Sequence, residues 1–161
     1  MISDPKTTIM RYTVFTIIVI LLFSSACQKK YSVTEDQKSI DQLNKKWNEN
    51  VLSGHRLDNA DLFTDDGIRI EGGKMCSGKD SIRSMLNSQT LQRQYIQQEN
   101  KTQKIWSSKD FITTEIIQKQ VFIQNETGDT ITKRNAAVVI FKRQIDGSLK
   151  IAYQLKSELK D

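Results

Sequence analysis

A change of pattern near residue 92 constrains the fold of this chain more than any other feature of the sequence. Beyond that point, four segments rich in β-branched residues follow one another: 94–106, 111–124, 130–144 and 148–159. They are separated by the turn sequences SSKD, NETGD and IDG, and an Asp-Gly pair is the strongest short hairpin signal. Strands joined by consecutive hairpins are antiparallel neighbours, so the pattern predicts an antiparallel sheet.

The segment before this sheet predicts helices. Apolar residues recur at helical spacing over residues 40–51, with polar residues between them. The sequence SVTE at 32–35 fits a capping box at the start of this helix, and Gly54 supplies a carboxyl cap. The pattern therefore predicts one long amphipathic helix.

Two further helices are predicted between residues 57 and 92. A short one carries Leu57 and Phe63 and stops at the sequence TDDG. A strand over 68–71 and a glycine turn then lead to a third helix, capped by Ser77 or Asp80. Helices first and antiparallel strands afterwards indicate an α+β domain with three N-terminal helices.

The N-terminus has the layout of a targeting segment. Residues 14–23, VFTIIVILLF, are apolar and uncharged but too short to span a bilayer. Small residues follow and end on Cys27, which resembles a bacterial lipoprotein signal. A plain signal peptide and an N-terminal anchor helix are the alternatives, and Met10 is an alternative start. The predicted organisation is a signal peptide over 1–26, a lipidated Cys27 with a tether over 27–35, and one domain over 36–161.

Composition excludes several classes of function. The chain has a formal net charge of +5, with basic residues scattered among acidic ones, which argues against a nucleic-acid-binding surface. If Cys27 carries lipid, Cys76 has no partner for an intramolecular disulfide, and packing is the preferred role for it. His55 is the single histidine, so the usual zinc sites and histidine-based triads are not expected. No metal or cofactor is predicted.

The sequence LNKKWNENVLSGHRLDNADLFTDDGIRIEGGKMCSGKDSIRSML resembles the opening of the nuclear transport factor 2-like superfamily. Ketosteroid isomerases and SnoaL-like cyclases are members of that superfamily. The resemblance implies a cystatin-like cone, in which three helices pack on a curved antiparallel sheet around an open pocket. The same fold carries many different functions, so it does not identify one.

The resemblance also suggests a catalytic candidate. Aligned on LFTDD, the general-base aspartate of the isomerases corresponds to Glu71. Their two stabilisers of the enolate oxygen correspond to Trp47 and a position near Val139, which do not supply that chemistry. Asp65 and Asp66 have the composition of a turn that ends at Gly67.

Register decides what faces the pocket. Along IRIE, Ile68 and Ile70 share one face and Arg69 and Glu71 share the other. Burial of the isoleucines costs less free energy than burial of the charged residues, so the isoleucines are expected to be the buried face. Arg69 and Glu71 can still face the pocket, where they would neutralise each other. The side chains predicted to line a pocket for a mostly neutral molecule are Trp47, Arg69, Tyr95, Gln118, Gln120 and Tyr153.

Three hypotheses about function follow. The first is a lipid-anchored cell-envelope protein that binds a small molecule or a partner without catalysis. The second is an isomerase, dehydratase or cyclase that uses Glu71, and the third is a structural subunit that forms a homodimer through its sheet. Gln28 after Cys27 favours the outer membrane over the inner membrane, with a periplasmic or surface-exposed domain.

Overall fold

The computed structural model describes residues 32–160, which all belong to one compact unit. Cys27 and the apolar segment 14–23 lie outside these described residues. Within the described part, no helix is both long and apolar enough to cross a membrane. The elements are α1 (Val33–Leu52), a 3-10 helix (Arg56–Leu62), β1 (Phe63–Glu71), β2 (Lys74–Ser77), α2 (Lys79–Gln92), β3 (Arg93–Ser107), β4 (Phe111–Gln124), β5 (Thr130–Arg143) and β6 (Leu149–Glu158).

The strands form one sheet in the order β2-β1-β6-β5-β4-β3. The three hairpins predicted after residue 92 are all present, since β3, β4, β5 and β6 pair antiparallel in chain order. The prediction of a purely antiparallel sheet is wrong, because β1 pairs parallel to β6. The first strand, β1, therefore lies next to the last strand, β6. This pairing brings residues that are far apart in the sequence onto neighbouring strands.

The arrangement of the helices also differs from the prediction. Only α1 and the 3-10 helix precede the sheet, because β1 and β2 are formed before α2 begins. The strand β2 (Lys74–Ser77) was not predicted, since the glycine pair before it was interpreted as a simple turn. Neither proposed helix cap forms its side-chain hydrogen bond: Ser32 lies at the first cap without one, and Gly78 occupies the second cap. Gly54 has a φ of +83° after α1, as a glycine carboxyl cap requires.

The core lies between the helices and the concave face of the sheet. Period-two alternation along β4 and β5 turns Ile112, Ile116 and Val139 inward, where they are buried. The core cluster includes Trp47, Val51, Phe63, Ile82, Leu86, Val139 and Phe141. The rings of Trp47 and Phe63 meet edge to face, with their centroids 6.3 Å apart.

The DDG sequence forms an irregular part of β1 and not a turn outside the sheet. The register of β1 against β6 shifts between Phe63 and Ile68, and the two aspartates within this interval are exposed. A Cβ atom on Gly67 would lie 3.0 Å from the Cβ atom of Phe63 and 3.2 Å from the carbonyl oxygen of Ile151. A side chain at position 67 would therefore have to push these neighbours away by a few tenths of an ångström.

Candidate ligand site

A small cavity of about 20 Å³ lies inside the cone between α1 and the concave face of the sheet. That volume is enough for about one water molecule. Its lining combines four amide side chains with a larger apolar surface. The lining residues are Asn44, Asn100, Gln118 and Gln154, with Leu43, Trp47, Leu62, Ile116, Ala137, Val139, Phe141 and Ile151.

Next to this cavity, Glu71 receives hydrogen bonds on both carboxylate oxygens. Lys156 Nζ lies 2.7 Å from Oε1, while Arg69 Nη2 lies 2.6 Å from Oε2. Gln89 Nε2 adds a third donor at 3.1 Å from Oε2. Burial alone would raise the pKa of Glu71, but the attraction of Arg69 and Lys156 and their hydrogen bonds hold it well below its usual range. Glu71 is therefore a paired anion.

Arg69 is the largest of the fully buried side chains among the described residues. Besides Glu71, its Nη1 donates to Gln154 Oε1 at 2.7 Å, and its guanidinium carbon lies 5.2 Å from the centre of the Trp47 ring. The expectation that Ile68 and Ile70 would be the buried face of this strand is wrong. They are half-buried on the outer face because the ion pair and the Trp47 ring compensate for burial of Arg69.

Lys156 lies opposite Glu71 in the parallel ladder between β1 and β6. Its side chain is 4% exposed, and its ammonium group also donates to Gln120 Oε1 at 3.1 Å. Burial lowers the pKa of Lys156 to about 8, although the attraction of Glu71 opposes this effect. The buried ammonium group thus depends on Glu71 for its charge.

Arg56, at the start of the 3-10 helix, is a third buried cation. With Arg69, Lys156 and Glu71 it forms the ion cluster of this site. It is 2% exposed and donates from Nη2 to Gln89 Oε1, and its guanidinium carbon lies 4.4 Å from the centre of the Tyr95 ring. Burial lowers the pKa of Arg56, and the positive charge of Arg69 contributes in the same direction. Its Nε and Nη1 have no hydrogen-bond partner within residues 32–160.

Amide side chains continue the polar network across the inner face of β3 and β4. Gln120 Nε2 donates to Gln98 Oε1 at 2.7 Å, and Gln98 and Gln118 both donate to Asn100 Oδ1, at 3.1 Å and 2.9 Å. Gln118 Oε1 has no partner in the described part of the chain. A buried acceptor of this kind can receive a hydrogen bond from a polar ligand or from water.

The predicted pocket residues fall into three groups. Trp47 and Gln118 line the cavity, and Arg69 touches two residues that line it. Tyr95 and Gln120 are buried farther along the same network, under Arg56 and beside Lys156. Tyr153 lies on the outer face, because the adjacent Gln154 points inward.

Two important residues of the site were missed in the sequence, namely Arg56 and Lys156. Lys156 follows Gln154 at the period of a strand, and this spacing was the available signal that it shares the inner face. No comparable signal existed for Arg56, because it comes from a short 3-10 helix whose orientation depends on packing.

The other titratable candidates lie away from the cluster. Asp65 is exposed, and a hydrogen bond from Lys79 at 2.7 Å holds its pKa below the usual range. His55 is exposed before the 3-10 helix, 3.9 Å from Asp58, and Cys76 is a half-buried free thiol on β2. No group of three or more potential metal-ligating residues (histidine, cysteine, aspartate or glutamate) is found in the described range.

The solved structures similar to this chain share its fold at low sequence identity. A ketosteroid isomerase-like protein from Erwinia carotovora atroseptica is 14% identical, with a TM-score of 0.69 over 77% of this chain and 96% of that chain. A candidate scytalone dehydratase from Novosphingobium aromaticivorans is 11% identical, with a TM-score of 0.66 over 79% and 86% of the two chains. A conserved protein from Planctomyces limnophilus is 17% identical, with a TM-score of 0.64 over 78% and 99%.

These similarities show that the chain shares the fold of such isomerase-like and dehydratase-like proteins, which belong to the nuclear transport factor 2-like superfamily. No family profile and no curated protein matches the sequence.

Proposed function

We propose that this protein is a lipid-anchored cell-envelope protein whose cone-shaped domain binds a small molecule without acid–base catalysis. The main support for a non-catalytic role is the pairing of Glu71: Lys156 bonds one of its carboxylate oxygens and Arg69 bonds the other. A general base works best when its pKa lies near the working pH. The pKa of Glu71 lies below its usual range, and therefore farther from neutral pH than that of an ordinary glutamate.

The two positions where the isomerases have a stabiliser of the enolate oxygen carry no such group here. Trp47, at one position where the isomerases have a stabiliser, packs against Phe63 and Arg69. Val139, near the other position, is a buried apolar residue. Removal of one such stabiliser typically lowers the rate by about a hundredfold to a thousandfold, so an enzyme lacking both would be slow.

Binding is supported by the composition of the cavity. Its apolar side chains and its four amide groups have the composition of a ligand pocket, and the cavity would have to widen to admit a ligand larger than a water molecule. A partner protein at the mouth of the cone is the other form of this proposal. No cofactor is required for either form.

The anchor is proposed from the sequence alone. Cys27 follows a short apolar run and small residues, and a lipidated cysteine would hold the domain at the membrane surface. Gln28 favours the outer membrane. Membrane fractionation with labelled lipid tests the anchor: a Cys27→Ser variant should lose both the label and the membrane association, and retention of the label would refute lipidation at Cys27.

The absence of catalysis is tested by assays of the purified protein against enolisable ketones, β-hydroxy carbonyl compounds and polyketide-like esters. The expected result is no turnover above the uncatalysed rate. Turnover that disappears in a Glu71→Gln variant that is still folded, but persists in Asp65→Asn, would establish the alternative, an isomerase, dehydratase or cyclase. Asp65→Asn is the matched control because Asp65 is an exposed carboxylate away from the cavity.

A second candidate function is the formation of a homodimer through the sheet. An apolar depression on the outer face of the sheet favours it. A depression of about 290 Å³ lies there, lined largely by apolar side chains such as Ile117, Ala136, Val138 and Leu155. Val138 and Leu155 are cross-strand neighbours and are 38% and 42% exposed. A two-fold homodimer would bury this apolar patch against its own copy.

A further inference from the structure

Arg143, the last residue of β5, joins three elements at one end of the domain. Its Nη2 donates to both carboxylate oxygens of Asp36, in the first turn of α1, at 2.7 Å each. Its Nε donates to the carbonyl oxygen of Ser108 at 3.4 Å, and its backbone N–H donates to that of Asp110 at 2.9 Å. The start of α1, the β3–β4 hairpin and the β5–β6 hairpin therefore lie together at this end.

Three large apolar side chains are exposed at the same end, and we call them the tip surface. Trp106 and Phe111 flank the β3–β4 hairpin and are 50% and 43% exposed, while Ile145, in the β5–β6 hairpin, is fully exposed. Trp106 pairs with Thr113, so Trp106 and Phe111 are diagonal neighbours on the outer face of the sheet. Phe111 lies opposite Lys142, which precedes Ile145 by three residues. Large apolar side chains grouped outside the core mark a contact with another molecule or with a membrane.

The exposed charges in the two hairpins balance one another. Lys109 and Asp110 belong to the β3–β4 hairpin, and Lys142 and Asp146 belong to the β5–β6 hairpin. All four side chains are exposed, so the hairpins carry no excess of either sign that would select a charged partner. The attraction of this end for a partner therefore comes from its apolar side chains.

The proposed anchor joins the domain at this end. Val33 is the first residue of α1 and follows Cys27 by six residues. Six residues span at most about 22 Å when fully extended, so a lipid on Cys27 would hold the start of α1 within that distance of the membrane. The other end of α1 lies about 30 Å away, because the helix has 20 residues. With this anchor, the tip surface is the side of the domain nearest the bilayer.

We propose that the tip surface of Trp106, Phe111 and Ile145 lies on the phospholipid bilayer and inserts these side chains between the headgroups and the acyl chains. Tryptophan suits this depth, because its ring is apolar and its indole N–H can donate to water or to a headgroup. The assignment rests on the proposed lipid anchor and adds a second contact with the same membrane. It is separate from the proposed homodimer, because none of these three residues lines the depression on the outer face.

The test uses the full-length protein reconstituted into phosphatidylcholine vesicles whose acyl chains are brominated close to the headgroup. Bromine quenches the fluorescence of a tryptophan that enters the bilayer interface. The chain has two tryptophans, and Trp47 is 4% exposed in the core, so Trp106 is the one that bromine can reach. Brominated vesicles should lower the emission relative to unbrominated ones, and Trp106→Phe should abolish this decrease. Addition of phosphatidylglycerol should leave the quenching unchanged, because the hairpin charges balance.

A relocated tryptophan provides the matched control. The double variant Trp106→Phe/Ile96→Trp carries its exposed tryptophan near the start of β3, at a position where Ile96 is 51% exposed. Ten residues of strand separate positions 96 and 106, or about 33 Å, so the relocated tryptophan should not be quenched.

A charge in the tip surface tests its insertion directly. Ile145→Glu should reduce the quenching of Trp106, because insertion would then take a carboxylate out of water. Ile96→Glu, the same change far from the tip surface, should leave the quenching at the wild-type level. Both positions are exposed, so neither variant should impair folding, and thermal melts check this.

The possible failures of the surface and of the anchor are distinguishable. A protein that floats with the vesicles but shows no quenching of Trp106 would refute the tip surface and leave the anchor in place. Equal quenching of the relocated tryptophan, or wild-type quenching in Ile145→Glu, would contradict an oriented, inserted tip. Quenching that requires phosphatidylglycerol would replace apolar insertion with charge attraction. A protein that does not float with the vesicles would refute the proposed anchor, and the tip surface with it.

Discussion

Lys156 and Glu71 face each other across the parallel pair of strands, with the lysine Nζ 2.7 Å from the carboxylate Oε1. They are far apart in the sequence and meet because β1 and β6 lie side by side in the sheet, with β2 on the other side of β1. This contact joins the first and last strands inside the cone. The stability of the domain and the chemistry of its interior therefore depend on the same pair.

Glu71→Gln should destabilise the domain strongly. The substitution leaves Arg69 and Lys156 buried without their counter-ion, and breaking a buried pair in this way typically costs about 3 to 5 kcal/mol. The free energy of unfolding from urea denaturation at neutral pH measures the effect. The double variant Glu71→Gln/Lys156→Met should recover part of the loss, and a double variant less stable than the single one would contradict this account.

Lys156 should make the stability rise in alkaline solution. Its pKa is about 8 in the folded protein and about 10.4 in the unfolded chain, so the unfolded chain binds more protons between these two values. Stability therefore increases with pH in this window, on the order of 2 kcal/mol, relative to Lys156→Met. Below pH 8 both states are protonated, and the contribution of this group does not change.

The pH effect is measured by denaturation at several values between pH 7 and 10.5, with each variant compared with the wild type at the same pH. Lys142→Met serves as the control, because Lys142 is exposed on β5. A difference between wild type and Lys156→Met that stays constant over this range would show that the folded pKa of Lys156 is not lowered.

Trp47→Ala should cost about 3 to 5 kcal/mol of unfolding free energy, as is usual for loss of a large buried aromatic side chain. Trp47 is 4% exposed and contacts both Phe63 and Arg69. Trp106→Ala on the edge strand β3 should cost far less, roughly 0.5 kcal/mol, because Trp106 is 50% exposed. Thermal and urea denaturation of both variants provide the comparison, and equal losses would contradict the core position of Trp47.

Val138→Glu should prevent the proposed homodimer. It introduces a charge in the centre of the apolar outer face, which a two-fold contact would bury twice. Light scattering coupled to size-exclusion chromatography should show a dimer for the wild type and a monomer for the variant. Ile145→Glu is the control, because Ile145 is a fully exposed apolar residue in the β5–β6 hairpin and lies outside the patch. A monomeric wild type would remove this candidate function.

The amino-acid sequence by itself determined the helices, the late strands and the core. Alternation over 111–124 and 130–144 defines strands whose observed bounds, Phe111–Gln124 and Thr130–Arg143, agree closely with the prediction. Helical spacing likewise placed Trp47 on the buried face of α1. These features are local, because a period of two or of 3.6 residues and a turn sequence between elements are written in consecutive residues.

Only the tertiary structure decided the parallel pairing of β1 with β6 and the composition of the ion cluster. The isoleucines of IRIE were expected to be buried, yet Arg69 takes the inner position because Glu71, Gln154 and the Trp47 ring surround it. Lys156 reaches Glu71 from the last strand, and Arg56 in the 3-10 helix bonds Gln89, which in turn donates to Glu71. Burial of a charge is favourable only when its partners are already in place, and those partners come together only when the whole sheet has closed.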